Sequence, residues 1–136
     1  MAALLLSASL SLLLPCLSFR TFPDFPVVGV NTHYAGEGLE GETAMLSHAF
    51  GITRTDLRWG AVETERGVYN FSDTDAHIAE HEREGVKIWF ILDGSNALYC
   101  NDGAAPVGKE QVDAFVSFAV AAMARYSARV MVWELW

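Results

Sequence analysis

The stretch that decides the fold is "GITRTDLRWGAVETERGVYNFSDTDAHIAEHEREGVKIWFILD", residues 51–93. It opens with a strand-like run at 52–59, passes through a polar segment into a helical pattern at 72–85, and closes on an almost wholly apolar run at 86–93. Strands buried on both faces have this continuous apolar character, and Gly85 stands where a helix is expected to stop. Residues 51–93 therefore predict a strand–helix–strand unit of a parallel sheet.

The same alternation continues on both sides of this unit. Strands are predicted at 27–34, "VVGVNTHY", and at 130–136, "VMVWELW", and helices at 42–51 and 109–127. The last helix carries an apolar stripe that is expected to face the core. Its members are Val112, Phe115, Val116, Ala119 and Met123. Four strands alternating with three helices predict an α/β fold with a parallel sheet.

Two further local features are predicted along the chain. Ser72 and Asp75 have the spacing of a capping box at the start of the helix at 72–85. Longer connections, 60–71 and 94–108, follow the second and third strands. Since the carboxyl ends of parallel strands carry the binding sites of α/β proteins, a site is expected near these connections.

Length and composition restrict the class of protein. The chain has 136 residues, enough for one domain but short of the roughly 250 residues of a complete α/β barrel. It is 51% hydrophobic and 19% charged, which is typical of a globular protein. The net charge of −8 argues against a nucleic-acid partner, because such surfaces need clustered Lys and Arg.

The first 18 residues predict a signal peptide. Leu4 to Leu14 form an apolar core of suitable length, although no Lys or Arg precedes it. A membrane-spanning helix is disfavoured because Pro15 interrupts the run early; a signal anchor and an incorrect start codon remain alternatives. We therefore expect a secreted protein without stable membrane association after cleavage. The sequon Asn70–Ser72 gives weak support, because such triplets arise often by chance.

The order of several short motifs resembles the glycoside hydrolases of clan A, the retaining (β/α)8-barrel group that includes cellulases and β-xylosidases. The residues that carry the resemblance are Gly51, Arg54, Trp59, Glu63, the segment "GVYNF" at 67–71, Asp75 and the closing "VWELW". The resemblance covers residues 27 to 136. It implies the N-terminal half of a TIM (β/α)8 barrel, with about the first four strands and three helices present. It also implies a β-linked oligo- or polysaccharide substrate and no cofactor.

The resemblance places both catalytic carboxylates beyond residue 136, so no catalytic residue is predicted within the chain. Retaining hydrolysis needs two carboxyl groups about 5–5.5 Å apart. The 136-residue chain alone is therefore expected to be inactive. A non-catalytic, truncated or pseudoenzyme product that binds carbohydrate is the alternative. A different α/β-barrel enzyme or a small doubly wound domain with the same alternation is a third alternative. Against the doubly wound domain, "AGEGLEG" lacks the glycine patterns of phosphate-binding loops.

Four residues are predicted to contact substrate: His33, Arg54, Asn96 and Trp136. In the clan, the arginine equivalent to Arg54 holds the nucleophile ionised and oriented; the alternative here is a surface ion pair with Asp56 or with a helix residue. The alternative for His33 is a solvated side chain that binds nothing, and the alternative for Asn96 is a structural role in a turn.

Two residues are predicted to be structural near the site, Glu134 and Trp59. Glu134 would lie deep in the barrel and need a charged partner, for which Arg54 is the candidate. Trp59 and Trp136 end their strands; sugar stacking is the alternative for Trp59, and a core position is the alternative for Trp136. Arg58 is expected to be an ordinary exposed charge.

Three expectations concern the remaining side chains and the open edges of the sheet. Trp89 and Trp133, in mid-strand, are expected in the core. His77 and His81, spaced i, i+4 on a helix face expected to be solvated, have no third ligand in view, so no metal site is predicted. The two open edges of a half-barrel are expected to cause self-association.

Overall fold

The computed structural model describes residues 28–33, 41–93, 95–101 and 103–135. Eight elements lie within these ranges. They are β1 (Gly29–Asn31), α1 (Glu42–Ser47), β2 (Ile52–Arg58), α2 (Trp59–Val62), α3 (Ser72–Glu84), β3 (Lys87–Asp93), α4 (Lys109–Tyr126) and β4 (Val132–Leu135). The predicted leader and Trp136 lie outside the described residues.

The four strands form one parallel sheet in the order β1-β2-β3-β4. The strand–helix alternation read from the sequence is therefore confirmed, with the one-turn helix α2 added after β2. Arg54 lies opposite Asn31 on one side and opposite Trp89 on the other, so these three side chains point to the same face of the sheet. We name the face that carries them the inner face.

The opposite face of the sheet packs on the helices and forms the core. Leu57, Phe90 and Leu92 project from it and are almost completely buried, together with Ile78 of α3 and Phe118 of α4. A layer of helices on a parallel sheet is the arrangement expected of β/α units. In the described part of the chain, no helix is long and apolar enough to cross a membrane.

Helix α4 buries a stripe that overlaps the predicted one at Ala119 but is displaced toward Phe118 and Tyr126, and the predicted Phe115 is partly buried against the core. The buried residues are Phe118, Ala119, Ala122 and Tyr126, whereas Val112, Val116 and Met123 are 42%, 51% and 41% exposed. The sequence has two adjacent apolar stripes on this helix, and periodicity alone does not say which one faces the sheet. The stripe with Phe118 and Tyr126 is buried because aromatic side chains remove the most apolar area from water.

The start of α3 corrects the predicted capping box. Its N-cap is Phe71, which makes no side-chain cap, and Asn70 Oδ1 instead accepts from Ser72 N at 3.0 Å and Ser72 Oγ at 2.7 Å. Asp75 accepts from Arg125 and Tyr126 of α4 and so ties the two helices together. The predicted stop at Gly85 is confirmed: Gly85 has a φ of 71°, the left-handed conformation that glycine adopts most easily.

His77 and His81 lie on the buried side of α3, whereas the sequence predicted that this face of the helix is solvated. Their ring centroids lie 4.3 Å apart, and the His77 ring centroid lies 6.3 Å from that of Phe90. Burial lowers the pKa of His77 to about 3, and burial also lowers the pKa of His81 although Glu80 and Glu42 oppose the shift. Among the described residues, no group of three or more potential ligands is placed to hold a metal ion.

Candidate functional site at the carboxyl edge of the sheet

A buried carboxylate organises the loops that follow β2 and β3. Glu63 is 1% exposed. Its Oε2 accepts from Trp59 Nε1 at 2.5 Å, and its Oε1 accepts from Gly67 N and from Tyr99 Oη, both at 2.6 Å. The hydrogen bond to Glu63 raises the pKa of Tyr99 to about 12. Sequence reasoning assigned Glu63 no role, although a glutamate four residues after a tryptophan is within reach of the indole on a helical turn.

Trp59 and Asn96 both belong to this structural network. Trp59 is 0% exposed and stacks on Tyr99 with ring centroids 5.1 Å apart, so its indole belongs to the core here. Its predicted place near a sugar site stays a prediction. Asn96 is also buried: its Nδ2 donates to Glu63 O at 2.8 Å and its Oδ1 accepts from Leu98 N at 2.9 Å. The burial of Asn96 corrects the prediction that its amide contacts substrate.

An open cavity of about 550 Å³ lies between the two loops at the carboxyl ends of β2 and β3. Its polar lining includes Arg58, Asp93 and Ser95, so it offers a guanidinium, a carboxylate and a hydroxyl. Arg58 is half-exposed, as predicted, but faces this cavity. A Cβ atom at Gly60 would lie only 3.1 Å from Ser95 O, so glycine allows the loops to approach closely at the cavity wall.

Arg54 and Glu134 form the predicted ion pair across the inner face. Arg54 Nε donates to Glu134 Oε2 at 2.9 Å and Nη2 donates to Oε1 at 2.8 Å, a bidentate contact between β2 and β4. Hydrogen bonding by Arg54 lowers the pKa of Glu134. Glu134 is therefore held ionised, the wrong state for a general acid. The proposed action of Arg54 on a nucleophile remains a prediction.

The two mid-strand tryptophans have different surroundings. Trp133 packs against the core, with its ring centroid 5.9 Å from that of Phe90. Trp89 is only partly buried and lines a small inner-face cavity of about 260 Å³ beside Arg54. The core prediction is therefore confirmed for Trp133 and wrong for Trp89, because strand parity places Trp89 on the face opposite the helices.

A histidine–aspartate pair lies at the carboxyl ends of β1 and β2. His33 Nδ1 is 3.0 Å from Asp56 Oδ2, and Arg58 Nη2 is 3.8 Å from the same oxygen. His33 is exposed, as a substrate contact must be, and its role in binding stays a prediction. Sequence reasoning treated Asp56 only as an alternative partner of Arg54. Asp56 lies two residues after Arg54 and therefore on the same face of β2, closer to the carboxyl end of the strand. This spacing is the sequence signal that could have placed Asp56 at the carboxyl edge of the inner face.

No family model matches this chain, and no curated protein matches its sequence. Solved structures do. A family 39 glycoside hydrolase from Bacteroides cellulosilyticus WH2 matches with a TM-score of 0.63 and 20% identity, over 79% of this chain and 24% of that chain. A β-glucosidase from Exiguobacterium marinum matches with a TM-score of 0.62 and 17% identity, over 71% and 23% of the two chains.

A third neighbour is xylanase 10B from Thermotoga maritima, with a TM-score of 0.61 and 16% identity, over 79% of this chain and 35% of that one. The chain thus spans between about a quarter and a third of the neighbours' length. At these identities the likeness shows the fold. The chain has the fold of part of a (β/α)8 barrel, and in that fold it resembles the barrel glycosidases of clan A.

Proposed function

We propose that this chain is part of a secreted, retaining glycoside hydrolase that acts on β-linked oligo- or polysaccharides, and that its inner face and carboxyl-edge cavity bind the sugar. The observation that carries the proposal is the concentration of polar side chains at one edge of the parallel sheet. Arg58 and Asp93 line the open cavity there, and Asp56, 3.8 Å from Arg58 Nη2, pairs with His33 at the same edge. The Arg54–Glu134 pair lies on the same face of the sheet. Sites of α/β barrels lie at this edge, and sugars are recognised by such convergent donors and acceptors.

The chain by itself does not hydrolyse glycosides in this proposal. Two of the carboxylates of the inner face are held by cationic or imidazole partners, Glu134 by Arg54 and Asp56 by His33. Asp93 remains at the cavity, and one carboxyl group cannot form the pair that retaining hydrolysis needs. The same observation favours a second candidate, a carbohydrate-binding product without catalysis. Secretion rests on the leader-like residues 1–18.

Sugar binding is tested by titrating the isotopically labelled 136-residue chain with cellobiose and xylobiose and following its amide resonances. We expect shifts at Arg58, Asp93 and Ser95, with a dissociation constant on the order of millimolar because the site is open and shallow. Maltose, an α-linked disaccharide of similar size, should bind more weakly.

The matched variants are Arg58→Gln at the cavity and Arg83→Gln on the exposed side of α3. Only the first should weaken binding, by several-fold. If neither β-linked disaccharide moves the cavity resonances, the proposed function is wrong.

A further inference from the structure

We propose that His33 presents its Nε2 atom as a hydrogen-bond acceptor to a sugar hydroxyl, and that Asp56 is the positioning residue that fixes this state of the imidazole. The inference rests on the proposed function, because it states how one side chain of the inner face meets the sugar. It follows from a continuous chain of hydrogen bonds that joins β4, β2 and β1.

The chain of hydrogen bonds begins at the ion pair between Arg54 and Glu134. A guanidinium can only donate, and Arg54 Nη1 donates to Asn31 Oδ1 at 2.9 Å. This contact fixes the orientation of the Asn31 amide, since its oxygen must face Arg54. The nitrogen of the amide, a donor, then lies 3.5 Å from His33 Nε2.

Both neighbours of the His33 ring favour the same tautomer. Nε2 faces the donating amide nitrogen of Asn31 at 3.5 Å, a weak contact that favours a lone pair at Nε2 over a second N–H. Nδ1 lies 3.0 Å from Asp56 Oδ2, and an ionised carboxylate only accepts, so Nδ1 must carry the hydrogen. In a neutral imidazole one ring nitrogen donates and the other accepts, and this arrangement satisfies both.

The difference in burial assigns the two residues their roles. The side chain of Asp56 is 6% exposed and that of His33 is 69% exposed. Asp56 is therefore the fixed anchor, and His33 is the group that solvent and ligand can reach. At 3.5 Å the contact from Asn31 to Nε2 is weak, so a sugar hydroxyl can donate to the same lone pair. The carboxyl edge of the inner face then offers a hydrogen-bond acceptor at His33 near the guanidinium donors of Arg54 and Arg58.

The tautomer is measured directly on the 136-residue chain by labelling its histidines with ¹⁵N and recording long-range ¹H–¹⁵N correlations at neutral pH. We expect His33 to show a protonated Nδ1 and an unprotonated Nε2. Asp56→Asn should convert this single state into a mixture with substantial Nε2–H, whereas Asp73→Asn, at an exposed position of α3, should not. A wild-type His33 that carries its hydrogen on Nε2 would overturn the inference, whether or not the Asp56 variant folds.

Addition of cellobiose separates this inference from the proposed function. We expect the His33 Nε2 resonance to move as a hydroxyl donates to it, and Asp56→Asn to weaken cellobiose binding at least threefold while Asp73→Asn leaves it unchanged. If cellobiose shifts Arg58 and Asp93 but not His33 Nε2, the inference is wrong and the proposed function stands. If cellobiose shifts none of these residues, both are wrong.

Discussion

Replacing Glu63 with glutamine is expected to lower the free energy of unfolding by about 3 kcal/mol. The carboxylate accepts three hydrogen bonds in a site from which water is excluded, from Trp59, Gly67 and Tyr99. A glutamine keeps one oxygen and turns an NH₂ group toward at least one of these donors. That donor is left unsatisfied, and burying it carries the full cost of its desolvation.

Urea unfolding measures this change, and Tyr99 provides a second readout. Its pKa of about 12 should fall toward the ordinary value of 10 once the negative charge of Glu63 is removed. Glu65→Gln is the matched control, because Glu65 lies two residues away and is exposed. If Glu63→Gln lowers the free energy of unfolding no more than Glu65→Gln does, the buried network does not stabilise the two loops.

Acidification is expected to destabilise the fold well before the carboxylates titrate. The pKa of His77 falls from 6.5 to about 3 on folding, and that of His81 is also lowered. Below pH 6.5 the unfolded chain therefore binds more protons than the folded chain. The contribution of the two buried histidines to the free energy of unfolding is fully present above pH 6.5 and is lost progressively as the pH falls below that value. The slope approaches about 1.4 kcal/mol per pH unit for each buried histidine.

The pH window from 6.5 to 5 isolates the histidines in this experiment. Asp75, Glu82 and Glu134 have lowered pKa values, so their contributions are lost only at lower pH. Unfolding free energies measured across the window should fall in the wild type and less steeply in His77→Leu. His48→Gln, an exposed site, should keep the wild-type slope. Equal slopes for the wild type and the His77 variant would contradict the burial of a neutral His77.

The sheet could be predicted from sequence because its strands have a simple pattern. Strands β2 and β3 were placed within a residue at either end, since a parallel strand buried on both faces leaves a continuous apolar or β-branched run. The Arg54–Glu134 pair was predictable as well. Strand parity and the resemblance placed both side chains inside the barrel, and a carboxylate at that depth needs a cation.

The errors concern surfaces that local sequence does not specify. Helix α4 carries two apolar stripes, and packing against the sheet decides which is buried. His81 lies between Glu80 and Glu82, and the acidic segment around it concealed the inward direction of both histidines. Asn96 was read as a ligand because an exposed loop amide and a buried one look alike in sequence. The pairing of His33 with Asp56 depends on the register of β1 against β2, which only the structure gives.

The most direct test of the proposal that this chain binds glycans without cleaving them is a hydrolysis assay. The purified 136-residue chain is incubated with aryl β-xyloside and aryl β-glucoside, and release of the chromophore is measured against a blank. We predict no release above the blank, because Glu134 and Asp56 are held by Arg54 and His33 and no second free carboxyl group faces Asp93 among the described residues. Release that disappears in Glu134→Gln would contradict the proposal.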